Sequence, residues 1–462
     1  MKNQLTQKEI QHLYWRAGFG IKQSKIPSLI YQTKENTVNE LFTDSYLQTP
    51  LSFDFKSLKQ ASKKKTKVEK KALRKLKIRT LFELNKKWYE QMISTDQVLR
   101  EKMTLFFHDH FAVNLRRPFE AMNLNNILRN HALGSFELML MEVSKSPAML
   151  MFLNNRQNKK DSPNENFARE VMELFTLGRD NIYTEKDIQE AARAFTGWNF
   201  KSDGSFVFRK NQHDEGEKTF LGRTGNFKGD DIIRILLEEK QTAVYLCEKI
   251  YKYFVNETIN PQHINELAEV FYGSKYNLKT LMKAIFMSDW FYNEKNIGNK
   301  IKSPTELIVG LGRQFGVKFQ NHQKLILLQK KLNQTLFLPP NVAGWPGGKY
   351  WIDSSTLMIR LRLPSLMLTA GELEWDEKED MPENMVTNKK QRRRNKLKKQ
   401  LQTTSKFNSI SRNLAELTPE QLLEFLIQAR LPNEIKNNVL YNDKTNKELI
   451  IKVLSLPEYQ LC

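Results

Sequence analysis

Ser162–Gly178 reads SPNENFAREVMELFTLG. Ser162 is a good N-cap, Pro163 suits the first helical position, and Glu165 stands where a capping box needs it. Gly178 can turn left-handed and end the helix. At about 100° per residue, Asn166, Arg169, Glu170 and Glu173 fall on one arc, and Phe167, Val171, Leu174 and Phe175 on another. The spacing therefore predicts a short, rigidly placed amphipathic helix with ionisable side chains at fixed positions.

The same punctuation recurs along the chain. Thr6–Glu9, Thr184–Asp187, Ser303–Glu306 and Thr418–Gln421 are four further capping boxes. Asp96 to about Val113 carries Leu99, Met103, Phe106, Phe107 and His110 at helical spacing, and helices are expected over Asn123–Ala132 and Ser135–Val143. LMKAIFMSDWFY (281–292) and LIIKVLSLPEYQ (449–460) echo each other as apolar helices running into an acidic and aromatic tail. Only Asn199–Phe208, alternating around Ser202-Asp203-Gly204-Ser205, reads as a β-hairpin, with Thr219–Leu221 as a short added strand. The expected fold is a mainly α, multi-helix globular domain with one small sheet around 199–221.

The chain has 462 residues and a net charge of +21. Lys63–Arg79 holds +9 of that charge and Lys389–Lys399 holds +8, so the rest is nearly balanced. Such runs are solvated segments or contacts to nucleic acid or an anionic surface. The expected organisation is a main helical domain over 1–370 with a basic insertion near 56–79. A basic polar linker or protruding helix follows over 371–410, then a small helical segment over 411–462 packed on the main domain. Two cysteines, Cys247 and Cys462, make no disulfide framework. The first twenty residues lack a signal-peptide apolar run, and no stretch suits a membrane span, which predicts a soluble cytoplasmic chain. Walker loop, dinucleotide fingerprint and G-x-S-x-G elbow are all missing.

Three segments concentrate chemistry. The 162–178 helix is either a solvated salt-bridge ladder or a polar face turned into a cleft, where Arg169 keeps neighbouring carboxylates ionised. FFHDHF (106–111) places His108 and His110 about 200° apart on a helix, so one ion cannot easily take both. His213 and Asp214 follow the hairpin in a loop, where a structural turn and a functional site are both natural readings. If they converged, His108, His110, Glu165, His213 and Asp214 would offer a divalent metal ion ligands, not all at once, beside Glu170 and Glu173 as acid and base and Arg169 and Asn166 as supports. LPPNVAGWPGGKYWI (338–352) is a Pro/Gly-fixed loop whose Trp345, Tyr350 and Trp351 plug a core or stack on a ligand.

HLYWRAGFG, LREKMTLFFHDHF, LRNHALGSFELML, SPAMLMFLNN, PNENFAREVMELFTLG, YTEKDIQEAARAFTGW, HDEGEKTFLG, IKSPTELIVG and LPPNVAGWPGGKYWI occur in that order over residues 8–365. In this the chain resembles the bacterial family called domain of unknown function 1800. The resemblance implies a mainly helical protein of unassigned activity, often exported, and encoded beside a sulfatase-like partner protein. It also matches recurrent polar positions to His108, His110, Asn164, Glu165, Asn166, Arg169, Glu170, Glu173, His213 and Asp214. Three functions are carried forward: a metal-assisted hydrolase with a carboxylate/histidine site, a non-catalytic scaffold for the sulfatase-like partner, and polyanion binding through the basic runs.

Overall fold

The computed structural model describes residues 3–62, 66–369, 401–441 and 445–462. Helix dominates, as the capping signals require. The boxes at Thr6, Thr184, Ser303 and Thr418 all form, opening helices α1 (Gln7–Ala17), Glu185–Ala194, Pro304–Phe315 and Pro419–Leu426. Both echo segments are a helix followed by a 3-10 turn, Leu278–Met287 with Asp289–Tyr292 and Lys447–Leu454 with Pro457–Gln460. Among the described residues no helix is long and apolar enough to cross a membrane.

The strands refine the mainly α reading. Among the described residues they make three separate two-stranded antiparallel ladders. β1 (Trp198–Phe200) pairs with β2 (Phe206–Phe208) as the predicted hairpin, but β3 (Lys218–Phe220) pairs with β4 (Arg223–Gly225), and β5 (Lys318–Phe319) with β6 (Thr403–Thr404). β6 falls inside the expected 371–410 linker, so the end of that segment is packed. Its preceding part, with Lys389–Lys399, lies outside the described residues, as do 63–65 of the first basic run.

The rest of the first run sits on α2 (Lys67–Ser94), opened by a capping box at Thr66. Burial on α2 begins only at Thr80, so Lys67, Lys70, Lys71, Arg74, Lys75 and Arg79 face solvent.

α3 (Val98–His110) runs through the middle of the molecule with every residue but Asp109 buried. Such a helix must pair its own charges. Glu101 accepts from Arg129 Nε and Nη2 at 2.6 and 3.0 Å and from the Trp88 indole at 2.8 Å. Arg100 donates to the carbonyls of Ser45 and Arg129. Lys102 Nζ donates to Glu306 Oε1 at 2.5 Å and to the Gly18 carbonyl at 2.8 Å.

Glu306 lies at the heart of a buried cationic group. It also accepts from Lys300 at 2.9 and 3.2 Å and from the Ser303 N–H at 2.6 Å. Lys302 is held by the Tyr459 carbonyl at 2.6 Å and lies 3.8 and 3.9 Å from the ring centroids of Trp15 and Tyr459. Arg16 donates to the Asn296 and Cys462 carbonyls, and Arg360 to the Lys302 carbonyl. Carbonyl dipoles and aromatic faces thus do for these cations what water does elsewhere. The same contacts tie α1 and the segment near Cys462 to Pro304–Phe315.

Removing one partner of a buried pair leaves an uncompensated charge, at a cost of about 3–5 kcal/mol. Glu306→Gln is therefore expected to lower the urea midpoint sharply with the m-value unchanged. An unchanged midpoint would mean that the lysines are stable without it.

Burial pushes Lys102 down to about 8 and Lys302 down to about 7. Between pH 7 and about 9 the unfolded chain holds lysine protons that the folded chain has lost, so stability rises with pH there. Denaturation midpoints at pH 7, 8 and 9 check the sign, and a fall across this window contradicts it.

Candidate functional site

The 162–178 segment starts its helix later than the sequence suggests. Ser162 and Lys159 bond each other's backbone in a tight bridge, and Glu165 reaches forward to Arg169 rather than back to Ser162. No capping box forms there. α4 (Asn166–Glu170) begins with Asn164 Oδ1 accepting from the Asn166 N–H at 3.1 Å. It passes into a π-helical turn, Val171–Thr176, where the Leu177 N–H reaches Met172 O five residues back. Gly178 ends it with φ +88°. Phe167, Val171, Leu174 and Phe175 form the buried arc as predicted.

On the polar side, the ladder forms. Arg169 bridges Glu165 at 3.1 Å, Glu173 at 3.4 Å and Glu185 at 2.7 Å, and Arg179 adds a second cation to Glu173. Glu170 stands apart from it. Its Oε2 is buried without a hydrogen-bond partner among the described residues, and burial, then the charge of Glu173, raises its carboxyl above the usual range. Asn166, expected beside it, donates instead to the Leu153 carbonyl.

The set proposed to hold a metal is not brought together. Among the described residues no group of three or more His, Cys, Asp or Glu is arranged to hold a metal ion. His108 Nε2 accepts from the Phe337 N–H at 3.0 Å, and burial pushes the ring down to about 3. His110 is enclosed by Phe106, Phe107, Phe111, Phe136 and Phe175. Neither of its nitrogens meets a partner at hydrogen-bonding geometry, although the Phe175 backbone is near enough to oppose slightly the strong downward shift from burial. His213 Nδ1 faces the Thr196 carbonyl and hydroxyl. Asp214 is locked by Arg193 at 2.7 and 3.2 Å and by the Gly216 N–H, a structural turn. Glu165 belongs to the ladder. His108, Asp214 and Glu165 are committed to different neighbours, whereas both nitrogens of His110 and Nε2 of His213 have no hydrogen-bond partner among the described residues.

Asp109, between the two histidines, is the residue that spacing arguments passed over. Its Oδ1 accepts from the Trp345 N–H at 2.7 Å. A Cβ on Gly344 would come within 2.2 Å of that oxygen, and Gly344 also has φ +81°, so only glycine lets the loop approach this closely. His108 to Phe337 N and Asn114 Nδ2 to Pro339 O, 2.7 Å, fix the same loop at its start. The end of α3 thus clamps the Trp345 loop, whose Trp345 and Trp351 are buried while Tyr350 is 75 % exposed.

Asp109 keeps partial solvent access yet is crowded enough for burial to push it up to about 6. Lys249, on α5 (Lys240–Phe254), is the cation it feels, and burial pushes that amine down to about 8. The two form no ion pair, and among the described residues neither Asp109 Oδ2 nor Lys249 Nζ has a hydrogen-bond partner. Both side chains combine partial exposure with heavy desolvation. Tyr253, one turn beyond Lys249, joins the pair to the buried cations: its ring lies 4.6 Å from Lys300 Nζ, and its hydroxyl feels both Glu306 and Asp109. Tyr245 joins the pair to the π-turn, donating to the Leu174 carbonyl at 3.1 Å under Lys249.

Gly344→Ala is expected to displace the loop and strip the Trp345 bond from Asp109. Tryptophan fluorescence and near-UV dichroism should change while the helical far-UV signal stays. Unaltered tryptophan spectra would contradict this close approach.

No curated protein and no solved structure matches the chain. The model of the family described as "Protein of unknown function (DUF1800)" matches residues 12–461, which spans the end of α1, Asp109, the 162–178 segment and the C-terminal helices alike. The chain belongs to this family.

Proposed function

We propose that the protein is a hydrolase whose proton-transfer pair is Asp109 and Lys249. The observation that carries this is the pair itself: partly exposed, close enough to feel each other yet without contact, with the carboxyl pushed up to about 6 and the amine pushed down to about 8 by burial. Environments that drive an acid and a base toward neutrality mark acid–base sites. At pH 7 Asp109 is mostly ionised and Lys249 mostly protonated. Asp109 Oδ2 takes a proton from water as the water oxygen bonds to the substrate, and Lys249 Nζ gives a proton to the departing group. The Trp345 N–H fixes the other oxygen of Asp109 and so aims the free one.

A second reading keeps the reaction on Glu170, whose unpartnered oxygen and raised carboxyl would suit a general acid beside the restrained Glu173. One experiment separates the two. Wild type, Asp109→Asn, Lys249→Met and Glu170→Gln are assayed on a panel of carboxylic, phosphate and sulfate esters, amides and glycosides from pH 5 to 9. The rate should rise through about 6 as Asp109 loses its proton and fall through about 8 as Lys249 loses its own. Asp109→Asn should cost about 10²–10⁴-fold, and Glu170→Gln little. Loss in Glu170→Gln with Asp109→Asn intact moves the site to the π-turn. No turnover of any panel member by wild type sinks both.

A further inference from the structure

A cavity of about 380 Å³ opens beside the β1–β2 hairpin, lined by Leu150, Met151, Arg156, Lys159, Asn199 and Arg209, among others. Its charged lining is three cations, with no carboxylate. Two arginines close in sequence are saturated: Arg169 holds three glutamates, and Arg193 holds Asp214 and Glu190. Among the described residues, Arg156, Lys159 and Arg209 make no ion pair at all.

The cavity is built as well as charged. Asn199 is 3 % exposed, and its Oδ1 accepts from Arg156 Nε at 3.3 Å and from the Phe200 N–H at 2.9 Å. That fixes the amide and leaves its two Nδ2 hydrogens with no partner among the described residues. The Arg156 guanidinium also lies 4.5 Å from the Phe200 ring centroid, which sets its plane and leaves its other nitrogens free. Lys159 is anchored through the backbone bridge to Ser162, and Arg209 through its N–H to the Gly197 carbonyl. Three like charges held together repel. A bound anion relieves that repulsion.

We infer that this cavity binds a phosphate-type oxyanion, free or as the phosphate group of a small molecule. A phosphate monoester carries close to two negative charges near pH 7.5 and offers acceptor oxygens to a guanidinium fork, an ammonium and an amide together. The volume lies within the range of small-ligand pockets and leaves room for a group attached to the phosphorus. This site shares no lining residue with the Asp109–Lys249 pair.

The test is calorimetric titration with inorganic phosphate and, separately, glycerol 3-phosphate, at low and moderate salt. Binding of either is expected in the full chain, weakening with salt. Stronger binding of the ester identifies a phosphorylated small molecule, and equal binding identifies the free ion. Arg156→Met and Arg209→Met should each weaken it about tenfold or more, and Arg156→Lys should weaken it less than Arg156→Met. These positions are exposed, and far-UV dichroism checks that each variant folds. Asp109→Asn should leave the affinity unchanged, so failure here and failure of the hydrolase reading can be told apart. No heat with either ligand at millimolar concentration, or equal affinity in the Arg156/Lys159/Arg209 triple methionine variant, overturns the inference.

Discussion

Burying Arg100, Glu101 and Lys102 in succession is the constraint around which the molecule is arranged. Consecutive helical residues point about 100° apart, so each charge must find a different neighbour. Arg100 takes carbonyls from the Ser45 turn and the end of the Pro118–His131 helix, Glu101 takes Arg129 and Trp88, and Lys102 takes Glu306 and the turn after α1. Three directions are thereby fixed by charge-assisted bonds, which tolerate little misplacement. A ring of aliphatic side chains could stabilise the same helix, but it would specify its rotation less sharply. With α3 fixed in rotation, its last turn delivers His108 to Phe337 and Asp109 to Trp345.

The distinction that matters for function is between charges that are satisfied and charges that are not. Arg169 and Asp214 look like site residues in the sequence, yet each is bound by opposite charge. Saturated groups of this kind hold elements in place. The Asp109–Lys249 pair and the Arg156–Lys159–Arg209 trio are the reverse. Their partners are absent or out of contact, and the surroundings keep them that way: Gly344 draws the loop onto one oxygen of Asp109 only, and Asn199 turns its acceptor toward Arg156 and its donors away.

Much of the fold was legible because it is written locally. Capping boxes need only residues three apart, and those at Thr6, Thr184, Ser303 and Thr418 form as read; so do the hairpin turn and the helix-plus-tail echo. Ser162 carries the same signal and fails, because Lys159 and Arg169 compete for the groups the box would use. The site was less legible for a related reason. Helical spacing separated His108 from His110 correctly, but it cannot report that the residue between them is the one left open to solvent, or that Lys249 arrives opposite it from a helix far along the chain. Nor could the pairing of β5 with β6, across more than eighty residues, be foreseen from strands of two residues.

The buried cations also change what the formal charge of +21 means. Arg16, Lys102, Lys302 and Arg360 point into the core, where carbonyl dipoles, ring faces and Glu306 stabilise them. Burial lowers the pKa of both lysines, so part of their charge is lost above neutral pH. The net charge that an approaching molecule meets is therefore smaller than composition implies, and among the described residues the outer half of α2 carries a dense run of exposed cations. Electrophoretic mobility, which senses the outward field, is governed by a smaller effective charge than the sequence total.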